Sequence, residues 1–245
     1  MLPIFFGRGE FMKKVILKIS GEALSGEKAI SMDKVTLMAK EIKQLQAQGD
    51  ISIGIVCGAG NIWRGRDAIV NGMDRVNADY MGMISTVLNC FALQAALKNI
   101  GVKTKVLSAI DMPKIVESYT KEKAESYFEK GYICIFGGGT GSPYFSTDTA
   151  ASLRAAELNC DLILMAKNGT DGVYNKDPRK FKDGKKYTKM THQEIIDKNL
   201  GIMDLTAATM CMENNIDIVV FDMNIKGNIA KAVVNYDIGT LVTRK

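Results

Sequence analysis

Short apolar runs alternate along this chain with longer segments in which apolar residues recur at helical spacing. The apolar runs lie at residues 15–19, 51–57, 102–107, 132–136, 161–166, 218–221 and 240–243. Helices are expected at residues 33–48, 75–99, 121–130, 193–198, 205–214 and 226–235, and from 146 or 147 to 159. Strands that alternate with helices in this way predict right-handed βαβ crossovers and an α/β fold with a central, largely parallel sheet.

Length and composition favour one domain. A chain of 245 residues could hold one large α/β domain or two small ones. Its 4 prolines and its lack of low-complexity sequence argue against a long linker. We therefore expect residues 12–245 to form a single domain. Residues 1–11 are left out of this interpretation, because Met12 and the two lysines after it resemble a natural start. They are expected to be an upstream start or a remnant of cloning.

Charge, cysteines and histidine narrow the possible function classes. The net charge of +5 is mild and the basic residues are dispersed, which argues against nucleic-acid binding. No uninterrupted apolar run reaches the roughly 18 residues of a membrane span. The 5 cysteines lack metal-ligand spacing, which predicts reduced, mostly buried thiols and a cytoplasmic setting. The single histidine, His192, lies beside Thr191 at an expected helix start and is interpreted as a surface residue. Histidine-based catalysis is thus nearly excluded.

Glycine-bearing turns follow several of the predicted strands. They occur at residues 18–23, 58–61, 137–141 and 171–172. In an open α/β sheet, ligands collect beyond the carboxyl ends of the strands, and glycines let backbone N–H groups approach a phosphate. The turn at 58–61 is not a dinucleotide fingerprint, because Trp63 holds the position of the third glycine. The chain also lacks a Walker-type glycine–lysine motif. These turns, with isolated cations nearby, predict a phosphoryl-transfer site.

Each of these features also has an ordinary structural explanation. The turn at 58–61 could simply join a strand to a helix, and Arg64 could be an exposed arginine. Lys18 could point into solvent from a strand edge. Thr147 and Asp148 could do no more than cap a helix. Only the combination of segments favours a shared site.

Six segments form a specific set. They are 18–24 (KISGEAL), 58–61 (GAGN) with Arg64 and Gly65, 75–83 (RVNADYMGM), 139–148 (GTGSPYFSTD), 171–178 (DGVYNKDP) and 203–207 (MDLTA). This set resembles the bacterial uridylate (UMP) kinases of the amino-acid kinase superfamily, over nearly the whole chain. The resemblance implies a three-layer α/β/α sandwich with a central, mostly parallel sheet. It also implies transfer of the γ-phosphoryl group of ATP to UMP, giving UDP and ADP, in pyrimidine nucleotide (CTP/UTP) biosynthesis.

The resemblance also assigns the site residues. Those expected to bind ATP are Lys18, Ile19, Ser20, Gly21, Gly60, Arg64, Asn168, Tyr174 and Asp177. Those expected to bind UMP are Ala59, Asp79, Thr140, Gly141, Ser142, Pro143, Tyr144, Phe145, Ser146 and Thr147. The expected catalytic residues are Lys18 and Arg64, on the transferred phosphoryl group, and Asp148, which orients Lys18 or a metal-bound water. Mg²⁺ is expected with ATP, held mainly by its phosphates and by no direct protein ligand.

The resemblance further implies a homohexamer that GTP activates and UTP inhibits. Two positions depart from the family pattern. Ala59 replaces the usual glycine, which crowds the turn facing UMP. The segment at 26–31 aligns with a region tied to GTP activation but lacks the usual later glycines, so activation by GTP is left open.

Two other function classes stay open. A related kinase acting on a carboxylate, a carbamate or isopentenyl phosphate is disfavoured by the segment at 140–148. A non-catalytic nucleotide sensor or a metal-storage relative is disfavoured by the presence of Lys18, Arg64 and Asp148. The sequence does not say whether CMP or dUMP is accepted.

Overall fold

The computed structural model describes residues 13–178, 180–181 and 183–244, without the side chains of residues 66, 68 and 69. The expectation for residues 1–11 lies outside the described residues. The strands are β1 (Lys13–Ile19), β2 (Ile51–Cys57), β3 (Thr104–Ser108), β4 (Glu117–Ser118), β5 (Ile133–Gly137), β6 (Leu162–Lys167), β7 (Val173–Tyr174), β8 (Lys186–Tyr187), β9 (Lys189–Thr191), β10 (Asp217–Asp222) and β11 (Thr240–Thr243). The helices are α1 (Met32–Gln46), α2 (Gly65–Val70), α3 (Arg75–Asn99), α4 (Lys121–Glu129), α5 (Thr147–Glu157), α6 (His192–Asp197), α7 (Leu205–Glu213) and α8 (Asn228–Lys231).

A mostly parallel sheet forms the centre of the fold, as predicted. Its strand order is β4-β3-β5-β2-β1-β6-β10-β11-β9. The strands from β4 to β10 pair in parallel, and β11 runs antiparallel to β10. Parallel neighbours place their carboxyl ends at one edge of the sheet. The register sets Lys18 of β1 beside Val56 of β2 and Met165 of β6.

Helices cover both faces of the sheet. Along β1, Leu17 and Ile19 belong to the core layer beneath α1, α3 and α8, whereas Ile16 belongs to the layer beneath α4, α5, α6 and α7. This alternation is expected of a strand whose successive side chains point to opposite faces. The three-layer α/β/α sandwich is confirmed.

The elements that the sequence did not predict are short. Strands β4, β7, β8 and β9 and helix α2 contain between 2 and 6 residues. Such segments are too short to show a hydrophobic period. Strands β7 and β8 form an antiparallel hairpin within the polar segment at 167–189. Helix α8 is much shorter than the helix expected at 226–235.

The prediction that His192 lies at the surface is wrong. His192 is fully buried at the first position of α6. The cap itself is as the sequence suggests, since Thr191 Oγ1 accepts from Glu194 N (3.1 Å) and Glu194 Oε2 accepts from Thr191 N (2.9 Å). Burial lowers the pKa of His192, while backbone groups of Thr243 and Ile216 oppose that shift. The prediction for the thiols is confirmed, because all 5 cysteines are buried and free.

Helix α3 is the longest helix in the described part of the chain. Asp74 caps it by accepting from Val76 N and Asn77 N, at 3.1 Å each. It is long and apolar enough to cross a membrane by length and composition, but half of that stretch is buried inside the protein. Leu93 and Leu97 are fully buried in the core layer on β2 and β3. We therefore interpret α3 as a core helix.

We expect protonation of His192 to weaken the fold. The ordinary pKa of 6.5 is lowered in the folded chain, so the unfolded chain binds more protons below that pH. Stability is therefore lost as pH falls, by at most about 1.4 kcal/mol per pH unit for one group. Urea unfolding at about pH 7.5 and pH 5.5 should show a smaller loss for His192→Gln than for the wild type. Equal losses would contradict this account. Protonation of Asp148 affects stability only at a lower pH than protonation of His192, because the pKa of Asp148 is lowered from 3.8.

Candidate active site

Two lysines and one carboxylate meet at the carboxyl edge of the sheet. Lys18, near the end of β1, is buried, and its Nζ lies 2.6 Å from Asp148 Oδ1 in the first turn of α5. The other carboxylate oxygen, Oδ2, lies 4.0 Å from Nζ of Lys167, the last residue of β6. The sequence predicted Lys18 and Asp148 but missed Lys167. The adjacency of β1 and β6 brings the three side chains together.

This cluster carries excess positive charge. Burial alone would raise the pKa of Asp148, but the attraction of Lys18 and Lys167 outweighs it and holds that pKa below its ordinary value. Burial lowers the pKa of Lys167; Asp148 opposes this shift, while Lys18 adds to it. When all three groups are ionised, two ammonium groups face one carboxylate. Such a site favours an anionic ligand.

Asp204 fixes the start of α5. The N-cap of α5 is Ser146, whose Oγ accepts from Asp148 N (3.0 Å) and Thr149 N (3.1 Å), so Thr147 does not cap the helix. Ser146 Oγ in turn donates to Asp204. Asp204 also accepts from Thr149 Oγ1 (2.9 Å) and caps α7 by accepting from Ala207 N (2.9 Å). One carboxylate therefore ties two helix starts together and holds Asp148 in place.

The turn after β2 packs tightly against the segment after β1. A Cβ added to Gly21 would overlap Asn61 and lie 2.7 Å from the carbonyl oxygen of Gly58. Asn89 of α3 supports the turn by donating to the Gly58 carbonyl (2.8 Å) and to Asn61 Oδ1 (2.9 Å). Gly60 differs, because the nearest atom to an added Cβ there is a Glu22 oxygen at 3.9 Å. Gly21 thus serves packing, whereas Gly60 leaves its backbone accessible.

Arg64 lies at the mouth of the site. Its guanidinium pairs with Glu22, and its Nε donates to the Gly60 carbonyl at 3.2 Å. Its side chain is 59% exposed, so this pairing is weak and can be exchanged for another partner. The sequence predicted Arg64 but not Glu22.

A cavity of about 150 Å³ opens beside the turn after β2. Six of the residues expected to bind UMP line it: Ala59, Asp79, Ser142, Phe145, Ser146 and Thr147. Gly60, expected to bind ATP, lines the same cavity. Trp63 and Met83 also line it and were missed. Trp63 is fixed by a hydrogen bond from its Nε1 to the Ala78 carbonyl (2.8 Å).

Asp79 joins α3 to the loop at 140–146. Its Oδ2 accepts from Arg75 Nε and from Tyr144 N, both at 2.8 Å. Tyr144 has a φ of 73°, a left-handed conformation that bulky residues rarely adopt. The Arg75 guanidinium also lies 5.1 Å from the centre of the Tyr144 ring. The remaining expected UMP residues of this loop do not line the cavity; they are Thr140, Gly141, Pro143 and Tyr144.

Three other expected ATP residues, Asn168, Tyr174 and Asp177, belong to the polar segment that follows β6. Asn168 Oδ1 accepts from Asn224 Nδ2 at 2.8 Å. Tyr174, in the β7–β8 hairpin, donates its hydroxyl to Asp171 at 2.7 Å. The Asp177 carbonyl accepts from Lys180 N at 3.0 Å. The Ile19 side chain is fully buried in the core, so only its backbone can face a ligand.

Comparison with known proteins agrees with this geometry. The model of the amino acid kinase family matches residues 13–222. The uridylate kinase of Streptococcus thermophilus is 53% identical over 235 residues, which is 95% of this chain and 96% of that protein. The chain belongs to the amino acid kinase family. Within that family it groups with the uridylate kinases, and the one from Limosilactobacillus reuteri is 51% identical over 232 residues, 94% of this chain and 96% of that protein.

Solved structures agree with this assignment. The UMP kinase of Bacillus anthracis superposes with a TM-score of 0.91 at 33% identity, over 95% of this chain and 96% of that one. The UMP kinase of Ureaplasma parvum superposes with a TM-score of 0.88 at 37% identity, over 95% of this chain and 99% of that one.

Gly21 and Gly60 should respond differently to substitution by alanine. We expect Gly21→Ala to lower the free energy of unfolding by about 1–3 kcal/mol, because the new methyl group meets backbone that cannot yield easily. Gly60→Ala should change stability by less than about 0.5 kcal/mol yet reduce activity, because its Cβ would occupy open space at the site. Urea unfolding and a kinase assay on both variants would check this. A Gly21→Ala protein as stable as the wild type would contradict it.

Proposed function

We propose that this protein transfers the γ-phosphoryl group of ATP to UMP, giving UDP and ADP, in the synthesis of pyrimidine nucleotides. The observation that carries the proposal is the position of the Lys18–Asp148–Lys167 cluster. It lies at the sheet edge between the cavity beside β2 and the polar segments beyond β6. A cationic cluster between two sites suits a phosphoryl group that passes from one to the other. The names of the two uridylate kinases compared above support UMP as the acceptor.

UMP is assigned to the cavity and ATP to the side of β6. In the cavity, Asp79 hydrogen-bonds the ribose or the uracil, and Thr147 and Gly60 face the acceptor phosphate. On the other side, Asn168, Tyr174 and Asp177 hold the nucleoside of ATP. Across the described residues, the continuous nine-stranded sheet supports treating residues 12–245 as one domain with these two halves.

Charge neutralisation, rather than base catalysis, carries the reaction. The second pKa of a phosphate monoester is about 6, so the UMP phosphate is already an anionic nucleophile at neutral pH. The difficulty is repulsion between two polyanions. Lys18 neutralises the transferred group, Asp148 fixes its Nζ, and Arg64 exchanges Glu22 for a phosphate. The buried His192 takes no part.

The described residues fit a Mg²⁺ ion that binds mainly through the phosphates of ATP. Among them, no group of three or more His, Cys, Asp or Glu side chains could hold a metal. Asp148, the carboxylate at the phosphate position, is already paired with Lys18. When bound, Mg²⁺ supplies further neutralisation of phosphate charge.

A stripe on α3 supports self-association. It consists of Tyr80, Met81, Ile84 and Leu88, which are 40–50% exposed and recur near every fourth residue. A helix presents such positions on one face, and an apolar face of this kind is typical of a protein interface. We assign the stripe to a contact between copies of this chain in a homohexamer. Activation by GTP and inhibition by UTP belong to the same proposal, as does a cytoplasmic setting, which the free thiols support.

An ADP-release assay with Mg-ATP tests the reaction. We expect turnover with UMP as the acceptor. The other acceptors tested are CMP, dUMP, N-acetylglutamate and aspartate. Each acceptor is assayed with and without GTP and UTP. Lys18→Ala should lower kcat by about 10²–10³-fold and leave the KM for UMP nearly unchanged, because one preorganised cation is lost from the transition state. Lys130→Ala, at an exposed position, is the control. No turnover with any acceptor from folded protein would overturn the proposal, and a normal kcat for Lys18→Ala would remove Lys18 from the chemistry.

Light scattering after gel filtration tests the stripe. The wild type should have a mass well above the 26.8 kDa of one chain. Ile84→Lys should give a smaller species, because a charge would be buried in the contact. Leu37→Lys, at an exposed leucine of α1, is the matched control and should keep the wild-type mass. A monomeric wild type, or an unchanged mass for Ile84→Lys, would contradict the assignment.

A further inference from the structure

The β7–β8 hairpin is too small to hold its own position. Its strands contain two residues each and pair Val173 with Tyr187 and Tyr174 with Lys186. A two-stranded hairpin is at best marginally stable in water without further contacts. Yet this hairpin carries Tyr174, and Asp177 follows in the same loop, both of them proposed to hold the donor nucleotide. Its position must therefore be fixed from outside.

Most of the polar contacts of the hairpin join it to itself. Asp171 accepts from the Tyr174 hydroxyl at 2.7 Å and from Lys186 Nζ at 3.0 Å. Asn175 N donates to the carbonyl of Lys185 at 3.1 Å. These bonds set the shape of the hairpin but not its place on the sheet. The Val173 side chain is buried in the core, but apolar packing is non-directional.

Thr240 supplies a directional anchor. It is the first residue of β11 and is fully buried. Its Oγ1 accepts from Val173 N at 2.9 Å and donates to the carbonyl of Tyr187. Because Val173 and Tyr187 are partners across the hairpin, one hydroxyl binds both of its strands. Only a side chain that can donate and accept at the same atom can make both bonds.

Gly172 lets the hairpin approach this hydroxyl. A Cβ added at position 172 would lie 2.6 Å from Thr240 Oγ1 and 2.8 Å from Lys186 Cε, so these contacts would have to open. The lysine side chain can move aside, whereas Thr240 is held in the sheet by the pairing of β11 with β10. The hairpin reaches Thr240 because position 172 carries no side chain.

We propose that Thr240 is a positioning residue for the donor nucleotide, because its hydroxyl sets where the hairpin places Tyr174 and Asp177. This inference rests on the proposed placement of ATP beside β6. Thr240 is fully buried, so it acts through the hairpin. The hairpin forms no part of the acceptor cavity or of the Lys18–Asp148–Lys167 cluster. Loss of the hydroxyl should therefore weaken the binding of ATP and spare both the binding of UMP and the chemical step.

Thr240→Val tests this role, because valine keeps the size of the side chain and removes both hydrogen bonds. We expect the KM for ATP to rise about tenfold, the effect of about one net hydrogen bond, with kcat and the KM for UMP within about twofold of the wild type. Thr240→Ser keeps the hydroxyl and should restore the KM for ATP. Thr104→Val is the matched control, since Thr104 is a buried strand threonine whose hydroxyl has no hydrogen-bond partner within the described part of the chain.

Gly172→Ala gives a second test if the valine variant does not fold. Its methyl group would push the hairpin away from Thr240, so the KM for ATP should rise while the KM for UMP stays unchanged. A normal KM for ATP in the folded Thr240→Val protein, or in Gly172→Ala when the valine variant does not fold, would overturn the inference. So would an equal rise in both KM values, which would indicate a general structural defect.

Tyr174→Ala separates this inference from the proposed function. A raised KM for ATP in Tyr174→Ala together with a normal one in Thr240→Val would overturn the role of Thr240 alone. Normal KM values for ATP in both variants would show that the donor nucleotide does not lie against the hairpin, which would overturn the proposed placement of ATP and the inference with it.

Discussion

The ion pair between Lys18 and Asp148 organises the site. It joins the middle strand of the sheet to the first turn of α5, and it does so where burial makes an unpaired charge costly. Parallel pairing brings the ends of β1, β2 and β6 to one edge, and Asp204 fixes the start of α5 against α7. The cavity proposed for the acceptor and the segments proposed for the donor then lie on either side of the pair. The buried pair therefore lies where strand pairing and the position of α5 bring these parts together.

Much of the fold could be predicted from the sequence, because its main elements are long and clearly bounded. Strand β2, helix α3 and strand β11 have the predicted bounds. The predictions that failed concern features that depend on contacts between separate segments of the chain. The polar neighbours of His192 suggest a surface position, but the ring is fully buried at the start of α6. Strands β7, β8 and β9 form by pairing with other segments of the chain. The hydrophobic pattern within one short segment does not reveal such pairing.

Within the site, too, the sequence predicted some residues and missed those whose roles depend on contacts between segments. Lys18 and Asp148, predicted to act together, do lie in contact, and six predicted acceptor residues line one cavity. Lys167 ends an apolar strand, and Lys18 lies near the end of another, so a search for lysines at the ends of apolar strands would have found both. Trp63, Glu22 and Asp204 gave no such signal, because their roles depend on what α3, Arg64 and α5 bring beside them.

The double role of Asp79 limits how this enzyme can evolve. One carboxylate oxygen accepts a hydrogen bond from the backbone N–H of Tyr144, which has a left-handed conformation, while the same side chain lines the cavity proposed for UMP. Under the proposed placement of UMP, substrate choice and the shape of the loop at 140–146 therefore cannot change independently. A substitution at position 79 that removed this acceptor would favour glycine at position 144, because glycine adopts a positive φ without strain. Because positions 79 and 144 are joined by a hydrogen bond although they lie 65 residues apart in the chain, substitutions at the two positions should show epistasis.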